Sequence, residues 1–168
     1  MNQLSIITTT YNSADTLAGC IKSVHSQTQS VEHIIIDGAS SDATPVILDQ
    51  YKDHLAQIVS EPDRGMYDGL NKGIKLATGE IIGLLHADDF YPSNDILEKV
   101  IDAFKDTDVE ACYGDLVYVY RKDLEKLCAT GYQVIMIHKS SLMARCPHIQ
   151  HYLCGDLSMK NMEFLIWN

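Results

Sequence analysis

Two adjacent carboxylates, Asp88 and Asp89, follow the apolar run Ile81 to Leu85, with His86 and Ala87 between. Carboxylates at a strand end suit a hard divalent ion such as Mg²⁺ or Mn²⁺, and a cation relieves the mutual repulsion of the pair. Alone, an Asp-Asp pair more commonly caps the turn or helix that follows. Two further polar clusters stand beside it in the pattern: Thr8-Thr9-Thr10-Tyr11-Asn12-Ser13 and Asp37 through Asp42, each directly after an apolar, β-branched run. Neither the G-x-G-x-x-G turn of dinucleotide sites nor a G-x-x-x-x-G-K-S/T phosphate loop follows the first run. Hydroxyls and one aromatic ring stand there instead, so cation-assisted phosphate binding is the expected chemistry.

These clusters need strands to carry them. Leu4 to Thr9, Val31 to Asp37, Ala56 to Ser60 and Ile81 to Leu85 read as short buried strands. From Ala14 to Gln27, Leu17, Cys20, Ile21 and Val24 recur at helical spacing, and Ser13 is placed to cap that helix. Thr44 and Pro45 suit the N-cap and first residue of a helix reaching Tyr51. Gly65 to Ala77 and Asp95 to Phe104 are helical in pattern, and strands are expected at Ala111 to Tyr113 and Leu116 to Tyr120. This alternation predicts an α/β fold with a mainly parallel central sheet covered on both faces. In such sheets ligands bind outside the carboxyl ends of the strands, where all three polar clusters fall.

The chain has 168 residues, 46% hydrophobic and 21% charged, enough to bury one core. A net charge of −10 disfavours nucleic acid as a partner. Cys20, Cys112, Cys128, Cys146 and Cys154 show no CxxC spacing, which suits free thiols filling core positions. The N-terminal run lacks a basic start and no apolar run reaches the ~20 residues of a membrane span. The expectation is a cytoplasmic protein without its own anchor.

Taken in order, four segments closely resemble the family-2 glycosyltransferases. They are Ser5 to Asn12, Ile36 to Thr44, Asp63-Arg64-Gly65 through Asn71-Lys72-Gly73 to Thr78-Gly79-Glu80, and His86 to Asp89, and the resemblance runs from residue 4 to about Arg121. It implies the GT-A form of a Rossmann-like nucleotide-diphospho-sugar transferase fold, inverting transfer, and Mn²⁺ or Mg²⁺ as cofactor. By position, Thr9 and Tyr11 look like the residues that hold the base and ribose of a nucleotide diphosphate sugar donor. Asp37 looks like the carboxylate accepting a hydrogen bond from the base. Asp89 matches the direct metal ligand, with Asp88 nearer the ribose, and Arg64 is placed to steady the donor phosphates. His86 stands where many members carry Asp. Tyr67, Asp68 and Asn71 share a helix face that looks toward the donor in similar enzymes. The implied acceptor is a glycan or lipid-linked glycan of a surface polysaccharide, met at the inner face of the membrane, with any membrane association peripheral and through partners.

The expected organisation is a nucleotide-sugar-binding domain over residues 1–127 and an atypical tail over 128–168. Past Leu127 the resemblance stops. Cys146, His148, His151 and Cys154 are zinc-ligand types at a spacing that is not an established zinc pattern. Read back through the genetic code from the third base of each codon, the residues from Cys128 permit Arg-Tyr-Trp-x-Ser-Gly-Asn-Tyr, similar to the family's continuation. The expectation is a truncated or frameshifted member, its acceptor side and general base missing and its transfer weak or absent. Its alternative is a non-catalytic nucleotide-sugar-binding remnant, while the absent glycine turn disfavours a Rossmann oxidoreductase.

Overall fold

In the computed structural model, residues 3–120 and 123–139 are described. Strands β1 (Leu4–Thr10), β2 (Glu32–Asp37), β3 (Gln57–Ser60), β4 (Ile81–Leu84), β5 (Ala111–Tyr120) and β6 (Asp123–His138) form one sheet in the order β3-β2-β1-β4-β6-β5. The first four of that order run parallel. β6 is antiparallel to both β4 and β5. The zinc-type quartet Cys146, His148, His151 and Cys154 lies outside the described residues.

Period-two alternation sorts the side chains onto two faces. Ile7, Ile34, Ile36, Ile82 and Ile137 pack under helix α3 (Met66–Leu76), which contributes Leu70 and Ile74. Leu4, Ile6, Ile81, Cys112 and Met136 face the other way, against Cys20 and Val24 of α1 (Leu17–His25) and Leu97 and Val100 of α4 (Ile96–Ala103). Ile35 meets Leu17 and Ile21 of α1 and Leu48 of α2 (Thr44–Tyr51) on that second face. Every α1 residue picked out by its spacing is buried, as is the thiol of Cys20, whose burial pushes it up to about 12. Cys20 and Cys112 are buried free cysteines.

Helix α3 sits unusually close to the sheet. A methyl group on Gly73 would collide with Ile7 Cγ2, and one on Gly69 would sit 3.1 Å from Thr9 Cγ2. These two glycines, one turn apart, let the helix bring its N-terminus to the carboxyl ends of β1 and β2. That start is set by Gly65, whose φ of 110° suits glycine.

Three expectations are corrected. The two short strands expected at Ala111 to Tyr113 and Leu116 to Tyr120 are one strand, β5, carried through Gly114 by its hairpin pairing with β6. Ser13 does not cap α1: its carbonyl accepts from Thr16 and Leu17, while its hydroxyl donates to the Tyr11 carbonyl. Thr44 is the first helical residue of α2 rather than its cap, and its Oγ1 accepts the Ser13 N–H at 3.0 Å.

At the amino ends of the strands, buried Glu32 accepts from Ser5 Oγ and from the Thr78 N–H at 2.7 Å, closing the turn after α3. Nearer the middle of the sheet, His33 is buried with Nε2 3.0 Å from Thr8 Oγ1, and burial pushes its imidazole down to about 4. An unfolded imidazole titrates near ~6.5. His33 therefore contributes fully above about pH 6.5, and its contribution is lost as the pH falls toward about 4, because the unfolded chain takes up the proton first. Between pH 7 and 5 the wild type is expected to lose about 2 kcal/mol more stability than His33→Gln, measured by urea unfolding. Equal losses in the two proteins would contradict a neutral, buried His33.

Candidate active site

The register Thr10↔Asp37 and Ile7↔Leu84 brings the ends of β1, β2 and β4 to one edge of the sheet. There the chain leaves the sheet in loops that enclose an open cleft of about 920 Å³. Its walls include Thr9 at the end of β1, Tyr11 and Asn12 after it, Gly38, Ala39 and Asp42 after β2, Asp63 and Gly65 before α3, and His86 and Asp88 after β4.

The first two loops brace each other. Asn12 Oδ1 accepts the N–H groups of Ser41 (2.9 Å) and Asp42 (3.3 Å), and the Asn12 N–H donates to Ser40 Oγ at 2.8 Å. Asp42 Oδ2 accepts the Ala14 N–H at 3.1 Å. Hydrogen bonds from Thr44 and Ala14 outweigh burial and hold the Asp42 carboxyl below the usual carboxylate range. Asn12 and Ala39 both take positive φ, 50° and 63°, a local cost that sits at the cleft and is held by these bonds.

Asp37 lies beneath this wall. It is fully buried, and its oxygens accept from the Ser40 N–H (3.2 Å), from Ser40 Oγ and from Ser60 Oγ. The hydrogen bond expected of it from a base would displace one of these. Gly38 and Ala39, not Asp37, meet the cleft. Thr9 and Tyr11 stand where the sequence puts them: Thr9 Oγ1 lies 3.2 Å from His86 Nδ1, and the Tyr11 ring is 65% exposed.

The loop carrying Asp88 and Asp89 is pinned to α1 and α4. Gln27 Nε2 donates to the Ser93 carbonyl at 2.7 Å, Gln27 Oε1 accepts the Leu97 N–H, and Ser23 Oγ accepts the Tyr91 N–H. Asp88 is exposed to the cleft and Asp89 is half-buried behind it. Burial, with the Asp88 charge beside it, raises the Asp89 carboxyl above the usual range despite the opposing pull of His86. Arg64 is 90% exposed, with its guanidinium 3.1 Å from Asp68 Oδ1. Such an exposed pair is worth under ~1 kcal/mol, so the side chain is free to leave it. Asp68 is turned to Arg64 and Lys72, and Tyr67 packs partly buried against the core.

Set against known proteins, the sequence matches the family described as Glycosyl transferase family 2 over residues 5–166. The chain belongs to that family. Among curated members it is 36% identical over 102 residues to an uncharacterized glycosyltransferase of Mycobacterium tuberculosis, a match that covers 60% of this chain and 39% of the relative. The chain thus spans about two fifths of the length of such relatives. Two solved structures share its architecture. A mannosyltransferase from Pyrobaculum calidifontis, in complex with GDP-Man and Mn²⁺, superimposes with a TM-score of 0.69 at 22% identity, covering 85% of this chain and 46% of that one. TarS of S. aureus (residues 1–349), in complex with UDP-GlcNAc, gives 0.61 at 21% identity, covering 67% and 34%. The fold is the GT-A form of family-2 glycosyltransferases, with its mainly parallel sheet.

Among the described residues no three metal-binding side chains converge. A GT-A site need not have them. A small hard cation is often held by one or two carboxylates, with substrate phosphates and water completing its shell. The Asp88-Asp89 pair, one carboxyl raised by burial and by its neighbour's charge, fits that donor set.

Sequence reasoning passed over two features here. Asp37 braces the loop from below, and its own motif gave no hint of the distant Ser60 that completes its shell. Asp63, seen only as half of an exposed Asp-Arg pair, reaches the cleft wall. Asp37→Ala leaves the Ser40 and Ser60 hydroxyls without their acceptor and is expected to lower stability by about 1.5–3 kcal/mol in denaturant unfolding. A variant as stable as the wild type would remove the bracing role.

Proposed function

We propose that this chain binds a nucleoside diphosphate sugar through a divalent cation at the carboxyl edge of the sheet, as the donor side of an inverting glycosyltransferase. One observation carries the reading. Asp15, Asp42, Asp63 and Asp88 line the cleft, and no Lys or Arg is among the described residues that line it. A diphosphate entering such a field is repelled unless a cation accompanies it. The solved relatives in complex with GDP-Man and Mn²⁺ and with UDP-GlcNAc support that choice of ligand class.

In this reading Asp89 holds the cation and Asp88 stands toward the ribose. Thr9 and Tyr11 supply a hydroxyl and an aromatic plate for the nucleoside. Thr9 is fixed against His86, so its hydroxyl does not have to be ordered when the ligand arrives. Arg64 swings from Asp68 to the outer phosphates, and Asp37 keeps the loop wall in place. A divalent ion supplies charge stabilisation to the diphosphate as the sugar–phosphate bond breaks. The acceptor, a glycan or lipid-linked glycan, attacks from the face opposite the diphosphate and needs a carboxylate base. In this reading the 128–168 tail does not supply that base, and transfer by this chain is weak or absent.

Calorimetry of UDP and GDP binding, with and without Mn²⁺, on wild type and Asp89→Ala, tests the donor site. Removing either Mn²⁺ or the Asp89 carboxylate is expected to weaken binding at least ~10-fold, about 1.4 kcal/mol. Equal affinity in all of these conditions would rule out cation-mediated binding.

A further inference from the structure

We infer that His25 and His54 form a surface site for an imidazole-seeking transition ion such as Zn²⁺, Ni²⁺ or Cu²⁺, apart from the cleft and chemically distinct from the Asp88-Asp89 pair. His25 is the last residue of α1. His54 ends the 3₁₀ turn Lys52–His54 that follows α2. The two imidazoles meet across the gap between these elements, with ring centroids 4.3 Å apart and planes tilted by 49°. Both residues are exposed, and no side-chain hydrogen bond or ion pair among the described residues occupies either ring.

The core sets up this encounter. Leu17 and Ile21 of α1 pack with Leu48 of α2, and Tyr51 and Leu55, on either side of the turn, pack against the same cluster. The turn closes through the Leu55 N–H on the Lys52 carbonyl at 3.2 Å, and α1 ends with the Ser26 N–H on the Lys22 carbonyl at 2.9 Å. The backbones of both histidines are therefore held without help from their side chains, and what remains to be ordered on binding is the turn of two rings. A metal about 2.0–2.1 Å from one nitrogen of each ring stands about 3.2 Å from each centroid, which puts the centroids about 4.5–5.2 Å apart at angles of about 90–110°. The observed 4.3 Å falls short of that by an amount that a small rotation of an exposed ring makes up.

Imidazole nitrogens favour Zn²⁺, Ni²⁺ and Cu²⁺, whereas Mg²⁺ and Ca²⁺ take oxygen ligands. The pair thus selects against the hard ions that suit the carboxylates of the cleft. Among the described residues no third His, Cys, Asp or Glu joins it, so water fills the remaining positions and the ion exchanges. The ion bridges α1 to the turn after α2. The unfolded chain has no such preformed pair, so binding stabilises the fold by mass action. His25 lies between Ser23 and Gln27, whose side chains hold the loop carrying Asp88 and Asp89, so the bridge fastens the helix end on which that loop depends. A contact made for packing alone would need the shape of the rings and not their nitrogens.

The test uses the full 168-residue chain with Cys146→Ser, His148→Ala, His151→Ala and Cys154→Ser, which removes the zinc-ligand types of the tail. It is run in excess Mg²⁺, at a pH above the ordinary imidazole range of about 6.5. Calorimetry with Zn²⁺ should show binding that His25→Phe and His54→Phe each weaken at least ~10-fold, although both keep an aromatic ring, and that Asp89→Ala leaves unchanged. Zn²⁺ should also shift urea unfolding to higher denaturant in the parent chain and not in either Phe variant. A second readout on the parent chain holds should a variant not fold: sub-stoichiometric Cu²⁺, followed by NMR, should broaden the amides of His25, Ser26, His54 and Leu55 and leave those of Thr9 and Gly38 sharp. No Zn²⁺ binding, binding that survives both Phe substitutions, loss in only one of them, or Cu²⁺ broadening centred elsewhere would each overturn the site. Nucleotides take no part in these measurements, so failure here leaves the donor reading standing.

Discussion

The cleft depends on the parallel register of β1 between β2 and β4. Parallel strands share a direction, so their carboxyl ends fall on one edge and their outgoing loops meet there. Thr10 pairs with Asp37 and Ile7 with Leu84, which sets the loop after β1 against both of its neighbours. A slip of one residue would turn Thr9 away from His86 and put Ile7 on the wrong face, exposing the core under α3. The buried isoleucines of β1 and β2 make that slip costly, and so the hydrophobic core fixes the geometry of a polar site at its edge.

From this register the rest follows in layers. The β1 and β2 loops lie close enough to exchange hydrogen bonds through Asn12, Ser40 and Asp42, which holds backbone conformations that would be unfavourable in isolation. Helix α3 approaches through Gly69 and Gly73 and brings Asp63 to the same edge. Gln27 and Ser23 tie the loop that carries Asp88 and Asp89 back to α1. Each tie is a local hydrogen bond or a missing side chain, and together they gather carboxylates where no described Lys or Arg of the cleft wall neutralises them. Burial first, and then the Asp88 charge beside it, raise the Asp89 carboxyl at that edge.

Much of this was legible in the chain because it is written locally. The apolar runs that became β1, β2 and β4, and the spacing of Leu17, Cys20, Ile21 and Val24, need only a short window to read. Thr9, Tyr11 and Asp88 reach the cleft because the ends of strands are visible as the ends of those runs. What was missed depends on distant partners. Gly114 and Asp115 look like a break, yet β5 continues through them because β6 pairs along its length. Ser13 and Thr44 have the side chains of helix caps but spend them across the gap between two loops. Asp37 and Asp63 are alike as residues. The distant Ser60 is part of what holds Asp37 beneath the wall, while Asp63 lies on the cleft wall itself.

The central claim is that a divalent cation and a nucleotide meet at the carboxyl edge of the parallel strands. Paramagnetic broadening by Mn²⁺ in the presence of UDP, followed residue by residue by NMR, tests it most directly. Amide signals of Thr9, Tyr11, Gly38, His86, Asp88 and Asp89 are expected to broaden, while those of Glu32 and Gly79 at the opposite edge stay sharp. Broadening centred on Glu32 and Gly79, or none near Asp88 and Asp89, would contradict the account.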